Sequence, residues 1–309
     1  MKRPTQLVYK ICNRIVRQTN WYNYSYWNGA TKFWNDKQFG LDVVNLGSGA
    51  AVHAFNYEGL NILGRNWALG PQSLEHDYNI LRNYFSFIRE GGYVIITICP
   101  FSCLFSQYNK KHNFKYYTFL HPATIISFDD DERTRALRIK TNPFREMPFY
   151  CIKATVVEFV KRFQNTFISH KTDLQVSAKS LIDNWKQQFG IDNLDSPLNS
   201  QHLFEQGNRR RLLEEMISFM RERFLVPVVV IPPMHHSLSD NFSHAFKNNY
   251  VDTFLKGVDC QVLDYMYDIE MDKDDYYSTS LFLNSKGASV FTHKVLSDIG
   301  LLSKDKIMM

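Results

Sequence analysis

The stretch of this chain whose residue types and spacing first suggest chemistry is "VVNLGSGAAVHAF", residues 43–55, where Val43 and Val44 lead through Gly47, Ser48 and Gly49 into a helix-like segment. A turn at the end of a buried strand suits a nucleophile or a phosphate cradle, because its backbone N–H groups are unpaired and the glycines allow close approach. The pattern is neither GxxxxGK[ST] nor GxGxxG, so it gives no support for nucleotide binding. It is not the GxSxG elbow either. Read structurally, Ser48 caps the next helix.

A hydroxyl needs a base, and several histidines qualify by position. His235 and His236 in "VVVIPPMHHSLSD" lie just beyond an apolar strand, and Asp240 follows. A neutral imidazole there would serve as general base for Ser48, at most one of the two facing the site because adjacent residues point in different directions; the alternative is a pair of surface or capping histidines. Without a third ligand at suitable spacing the pair is not read as a metal site, and no cofactor is expected. His53 is a second candidate base or a helix-surface residue. In "SLEHD", Glu75, His76 and Asp77 open a helix, where acids favour the positive end of the dipole, and Asp77 could also orient a loop. The stretch "DKDDYYSTS" lacks the glycine and distal glutamate of an EF-hand and reads as a solvated turn.

These residues need a scaffold. The runs "DVVNLG", "YVIITIC", "VPVVVI" and "CQVLDY" read as strands, the first three apolar almost throughout. Between them the 3.6-residue period predicts a helix in "GPQSLEHDYNILRNYFSFIREGG", with Leu74, Tyr78, Leu81, Phe85 and Ile88 on one face and Gly91 as its stop. Another is predicted in "RRLLEEMISFMRERF" with Leu213, Ile217, Met220 and Phe224, and a last one from "KGASVFTHKVLSDIG". Buried strands alternating with amphipathic helices predict an α/β, three-layer sandwich with a mostly parallel central sheet. In such sheets ligands bind beyond the carboxyl ends of the strands, which selects loops 47–53, 64–73, 99–105 and 232–241. Residues 1–40 read as an aromatic, basic arm, residues 41–309 as one domain, and 105–205, which break the alternation, as an insertion.

The order "NLGSG", "GRNWALGPQSLEHD", "YVIITICPFS" and "LFLNSKGASVFT" resembles the SGNH/GDSL hydrolase superfamily, and within it the bacterial branch found with surface-polysaccharide biosynthesis. The likeness spans roughly residues 42–297 and implies an SGNH/flavodoxin-like fold. In that superfamily the first block ends Gly-Asp-Ser or Gly-Ser-Ser with the last serine as nucleophile, later blocks supply a glycine and an asparagine for the oxyanion hole, and the last block is Asp-x-x-His. Matching these blocks puts Gly49 at the nucleophile and leaves Ser48 one position early. It puts Asn66 and Gly70 in the oxyanion block, Cys99-Pro100-Phe101-Ser102 where the third block has its asparagine, and Leu283-Asn284 and Gly287-Ala288 in the last block. Phe282 then stands at the histidine and Thr279 at the aspartate. The resemblance therefore implies an oxyanion or ligand-binding set of Gly47, Gly49, Asn66, Gly70 and Asn284 with the usual triad not retained. It further implies a carbohydrate or acylated glycan as ligand, with a protein partner also open. The alternative is an ester hydrolase or O-acyltransferase using Ser48 with a relocated histidine base.

Bulk properties narrow the class. The 309 residues are 44% hydrophobic and 22% charged, ordinary for a globular protein, and 24 Phe and 17 Tyr argue for a large aromatic core. The net charge of +5 is modest, and part of it sits in an N-terminal arm with Lys2, Arg3, Lys10, Arg14 and Arg17. Such an arm suits a solvated helix face and leaves peripheral contact with an anionic membrane open. No base-reading motif accompanies it, so nucleic acid is not expected. No run reaches the roughly 18 apolar residues of a membrane span. With no apolar signal core and five cysteines lacking CxxC spacing, a cytoplasmic protein with reduced thiols is expected.

Overall fold

The computed structural model describes residues 4–35, 38–104, 110–164 and 173–303. It contains two compact units. One holds residues 38–104 and 173–303 and carries the sheet; the other holds 4–35 with 110–164.

The apolar runs expected as strands form β1 (Leu41–Leu46), β3 (Ile88–Thr97), β4 (Val226–Ile231) and β5 (Gln261–Asp264). A three-residue strand, β2 (Gly64–Asn66), joins them at the edge, within a stretch expected to be loop. All pairings are parallel and the spatial order is β2-β1-β3-β4-β5. The α/β class with a parallel sheet flanked by helices is thus as expected. This order is doubly wound, and its switch point lies between β1 and β3, where the loops leaving the two carboxyl ends diverge and leave a crevice.

The helices of this unit are α1 (Gly49–Ala54), α2 (Leu74–Tyr84), α3 (Leu174–Phe189), α4 (Ser200–Arg221) and α5 (Ser285–Asp298). On one face of the sheet α5 packs beside α1, and its Phe291, Val295 and Leu296 are buried with Val43, Ile95, Val228 and Val230. Each such side chain stabilises the fold by about 1.5–3 kcal/mol relative to exposure. The alternate strand residues Val44, Val94, Ile96 and Val229 turn to the other face. Helices α2 and α4 contact each other and bury Ile80, Leu81, Leu213, Met216, Ile217 and Met220.

Some boundaries differ from expectation. The helix predicted to run to Gly91 ends at Tyr84, and after a single turn at Phe85–Phe87 the chain is already strand from Ile88. Ile88 pairs with Leu41, with a register shift between Leu41 and Val43, so its burial belongs to the sheet. Phe224, expected on the buried stripe of α4, lies beyond the helix end with positive φ and is exposed.

The arm and the insertion are also redrawn. Residues 110–164 belong with the N-terminal residues, whereas 173–205 belong with the sheet. The reason is aromatic packing. Trp27 stacks on Phe114 and Phe33 on Phe119, and the Trp34 indole N–H donates to Thr118 Oγ1 at 2.9 Å. The acidic run becomes the start of a helix, Asp130–Thr141, whose N-cap Asp129 accepts from the N–H groups of Asp131 and Glu132. No helix among the described residues is long and apolar enough to cross a membrane.

Candidate functional site

At the carboxyl end of β1 the chain turns through Gly47, with φ of +132°, a conformation that favours glycine. Ser48 occupies the N-cap position of α1, but its side chain makes no capping bond. Its Oγ instead accepts the Gln72 N–H at 3.2 Å. The turn is held by a buried carboxylate. Asp77, from the first turn of α2, accepts the Gly47 N–H at 2.8 Å and also pairs with the Gln72 side-chain amide, which donates to the Gly47 carbonyl at 3.2 Å. Asp77 therefore does orient a loop. The neighbouring acid Glu75 pairs with Arg209 of α4, and His76 contacts the Ser73 hydroxyl at 3.0 Å.

Gly49 follows, and two other segments close on it. Gly70, before a cis Gly70–Pro71 bond, approaches so that a Cβ there would lie 3.5 Å from Gly49 Cα. From the other side comes Phe282: a Cβ at Gly49 would lie 3.2 Å from its Cζ. The Phe282 ring stacks on His53 of α1 with centroids 4.7 Å apart, and loss of hydration lowers the His53 pKa. Thr279 Oγ1 accepts the N–H of Phe282 at 3.1 Å and so fixes the loop that carries the ring. Gly47, Ser48, Gly49, Gly70 and Phe282 are thus brought together at the switch point.

Asn66 and Asn284 are not free to serve as oxyanion or ligand donors. The Asn66 amide donates to the carbonyls of Ala51, Val52 and Phe55 at 3.1–3.2 Å, closing the end of α1, while its Oδ1 accepts from Asn45 and from the Ala68 N–H. Asn284 is the N-cap of α5. Its Oδ1 accepts the Gly287 N–H at 3.0 Å and its amide donates to the Asp275 carbonyl at 2.7 Å. Gly287 permits this: any Cβ there would collide with the Tyr276 backbone carbonyl. Both asparagines are spent on protein groups, chiefly backbone, which explains their position without a ligand.

Among the described residues no hydrogen bond links Ser48 to His53, His235 or His236. The two adjacent histidines have other partners. His235 Nε2 lies 3.1 Å from Asp274 Oδ1, and its Nδ1 lies 2.9 Å from Ser237 Oγ. His236 Nδ1 lies 3.0 Å from Asp272 Oδ1. The stretch read as a solvated turn is therefore an acidic partner of the histidine pair, and its Asp275 pairs with Lys286. At Cys99, two residues beyond β3, loss of hydration, then the charge of Asp77, pushes the thiol up to about 12.

Gln72 and Asp272 are the site residues that sequence reasoning missed. Gln72 carries no local signal; for Asp272 the cue was a run of acids lying downstream of the last strand. No protein-family profile, curated protein or solved structure matches this chain.

Proposed function

We propose that this is an SGNH-like protein of surface-polysaccharide biosynthesis or modification whose crevice binds a carbohydrate or acylated glycan without hydrolysing it. The contact of Phe282 with Gly49 carries the reading. These are the two positions that the resemblance assigns to base and nucleophile, and here an aromatic ring lies against a glycine. A phenyl ring takes no proton and a glycine has no hydroxyl, so the acyl-transfer machinery has no parts at these positions. What remains is an aromatic surface at the switch point of a doubly wound sheet, partly exposed and backed by His53, which suits the apolar face of a sugar ring. Ser48 with a relocated base is the weaker reading, because its oxygen is engaged by Gln72 and no histidine bonds to it.

The test is saturation-transfer NMR with a panel of hexoses, N-acetylhexosamines and their O-acetylated forms. Transfer to a sugar that disappears in Phe282→Ala, with the fold retained, supports the reading. Transfer unchanged by that variant, or transfer from none of the panel, counts against it.

We also propose a cytoplasmic protein whose other unit works at an anionic membrane surface. Helix Pro4–Val16 exposes Leu7, Val8, Ile11 and Ile15 with Lys10 and Arg14 beside them, and helix Pro148–Gln164 exposes Phe149, Tyr150, Ile152, Val156 and Phe159. Exposed apolar side chains flanked by basic ones suit the interface of an anionic bilayer. Flotation with vesicles containing phosphatidylglycerol tests this: Ile11→Glu with Phe159→Glu should abolish co-flotation, and binding to neutral vesicles alone would contradict it.

A further inference from the structure

The loops leaving the adjacent strands β4 and β5 converge at their carboxyl ends. His235 and His236 come from the first, four and five residues beyond Ile231, and Asp272 comes from the second. One donor atom from each of the three lies within 4.8 Å of the other two. We propose that His235, His236 and Asp272 form a binding site for a divalent first-row transition ion, zinc being the ion whose ligand preferences they fit best.

The donors argue for that class. Two imidazoles and a carboxylate suit zinc and its neighbours, whereas calcium and magnesium take oxygen ligands almost exclusively. Distances agree. A tetrahedral zinc bound at about 2.0–2.1 Å holds its ligands about 3.3 Å apart. Asp272 Oδ1 lies 3.0 Å from His236 Nδ1 and 3.9 Å from His235 Nε2, and no two of the three donors are more than 4.8 Å apart, so modest side-chain shifts close them on an ion.

Charge points the same way. Asp272 and Asp274 place two carboxylates against the pair of rings, whose centroids are 4.0 Å apart. Among the described residues no lysine or arginine pairs with Asp272. Lys273, between the two acids in sequence, instead lies over the Tyr276 ring. A divalent ion would neutralise the Asp272 carboxylate.

The surroundings hold the ligands and keep a way in. The His235 side chain is only 4% exposed, and its backbone N–H donates to the Ser280 carbonyl at 3.1 Å. Its ring meets that of Tyr277 edge-on at 5.3 Å, and among the described residues the buried Tyr277 hydroxyl has no hydrogen-bond partner. Asp272 is tied to the histidine loop, because its Oδ1 accepts the His236 N–H at 3.0 Å. By contrast the His236 side chain is 48% exposed, which leaves the site open to solvent on that side.

Ser237 makes exchange of a proton for a metal possible at His235. In one tautomer the Ser237 N–H donates to Nδ1 at 3.3 Å and Nε2–H donates to Asp274. In the other, Nδ1–H donates to Ser237 Oγ at 2.9 Å while the Ser237 hydroxyl donates to the Leu174 carbonyl at 3.3 Å. The second frees the Nε2 lone pair to face the carboxylates, where a cation would bridge them, and it resembles the hydrogen-bonded arrangement common to metal-binding histidines. Ser237 is thus a positioning residue. Three protein ligands leave one tetrahedral position for water or an oxygen of a bound molecule.

The test uses the untagged full chain, stripped with chelator and titrated with Zn²⁺ by calorimetry and with Co²⁺ by visible absorption. One equivalent should bind, with cobalt bands of a four- or five-coordinate site. His236→Gln and Asp272→Asn should each weaken binding by at least about 100-fold, and Ser237→Ala by about 10-fold with a shifted cobalt spectrum. The His236 side chain is 48% exposed and its loss leaves no cavity in the core, so its variant keeps the test decisive if Asp272→Asn fails to fold. Absence of stoichiometric binding, or binding unchanged in His236→Gln, would overturn the proposal.

Discussion

Replacing Asp77 by alanine should destabilise the sheet-bearing unit by about 3 kcal/mol, because the carboxylate is a buried anchor for a turn. It accepts the Gly47 N–H at 2.8 Å and pairs with the Gln72 amide, and all three groups are shielded from water. A hydrogen bond to a charged group is worth about 1.5–3 kcal/mol, and an orphaned buried donor costs about 1–3 kcal/mol. These overlap, since the orphaned Gly47 N–H is part of what removing the acceptor costs, so their simple sum would overcount. For a chain segment of this size about 3 kcal/mol lowers the melting temperature by about 6–12 °C. Asp77→Asn keeps an acceptor for Gly47 and loses only the charge, so about 1 kcal/mol is expected from it. Urea unfolding at pH 7 with an unchanged m-value measures both. Equal losses in the two variants, or a loss below about 1 kcal/mol in Asp77→Ala, would refute the anchoring argument.

Gly287→Ala should cost about 3 kcal/mol or more, since the added methyl meets the Tyr276 carbonyl, which is held by the Asn284 N–H at 2.8 Å and cannot retreat; the urea midpoint checks it. At Asp42, burial alone would raise the carboxyl, but the Leu63 N–H and the Arg89 guanidinium outweigh it and hold it below its ordinary value. A depressed folded pKa stabilises above the unfolded value near 3.9 and is lost as pH falls through the folded one. Asp42→Asn, at a partly exposed pair, should therefore cost about 1 kcal/mol at pH 7 and progressively less below about pH 4; a pH-independent difference would contradict it.

What the sequence revealed follows physical range. Strands β1, β3 and β4 are legible because a buried parallel strand must be apolar along its length, and α5 because its apolar residues recur with the helical period. β2 is illegible: three residues, Gly64–Asn66, carry no period. Residues 88–92 misled because Arg89, Glu90 and Gly91 look like the end of a helix while serving as the outer part of β3. The site was legible only in part, through the glycines of 47–49 and the two histidines. Asp77 reaches Gly47 across 30 residues and Asp272 reaches His236 across 36, and no local pattern encodes such contacts. The pairing of the aromatic arm with Phe114 and Phe119 is equally non-local; composition announced an aromatic core without saying which segments share it.

The central claim, that the turn at the end of β1 has no activated nucleophile, is tested most directly by treating the folded protein with a fluorophosphonate and mapping modified residues by mass spectrometry. The account predicts no modification at Ser48, in the wild type or in the double variant His235→Ala with His236→Ala. Stoichiometric labelling of Ser48 that vanishes when the histidines are removed would contradict it.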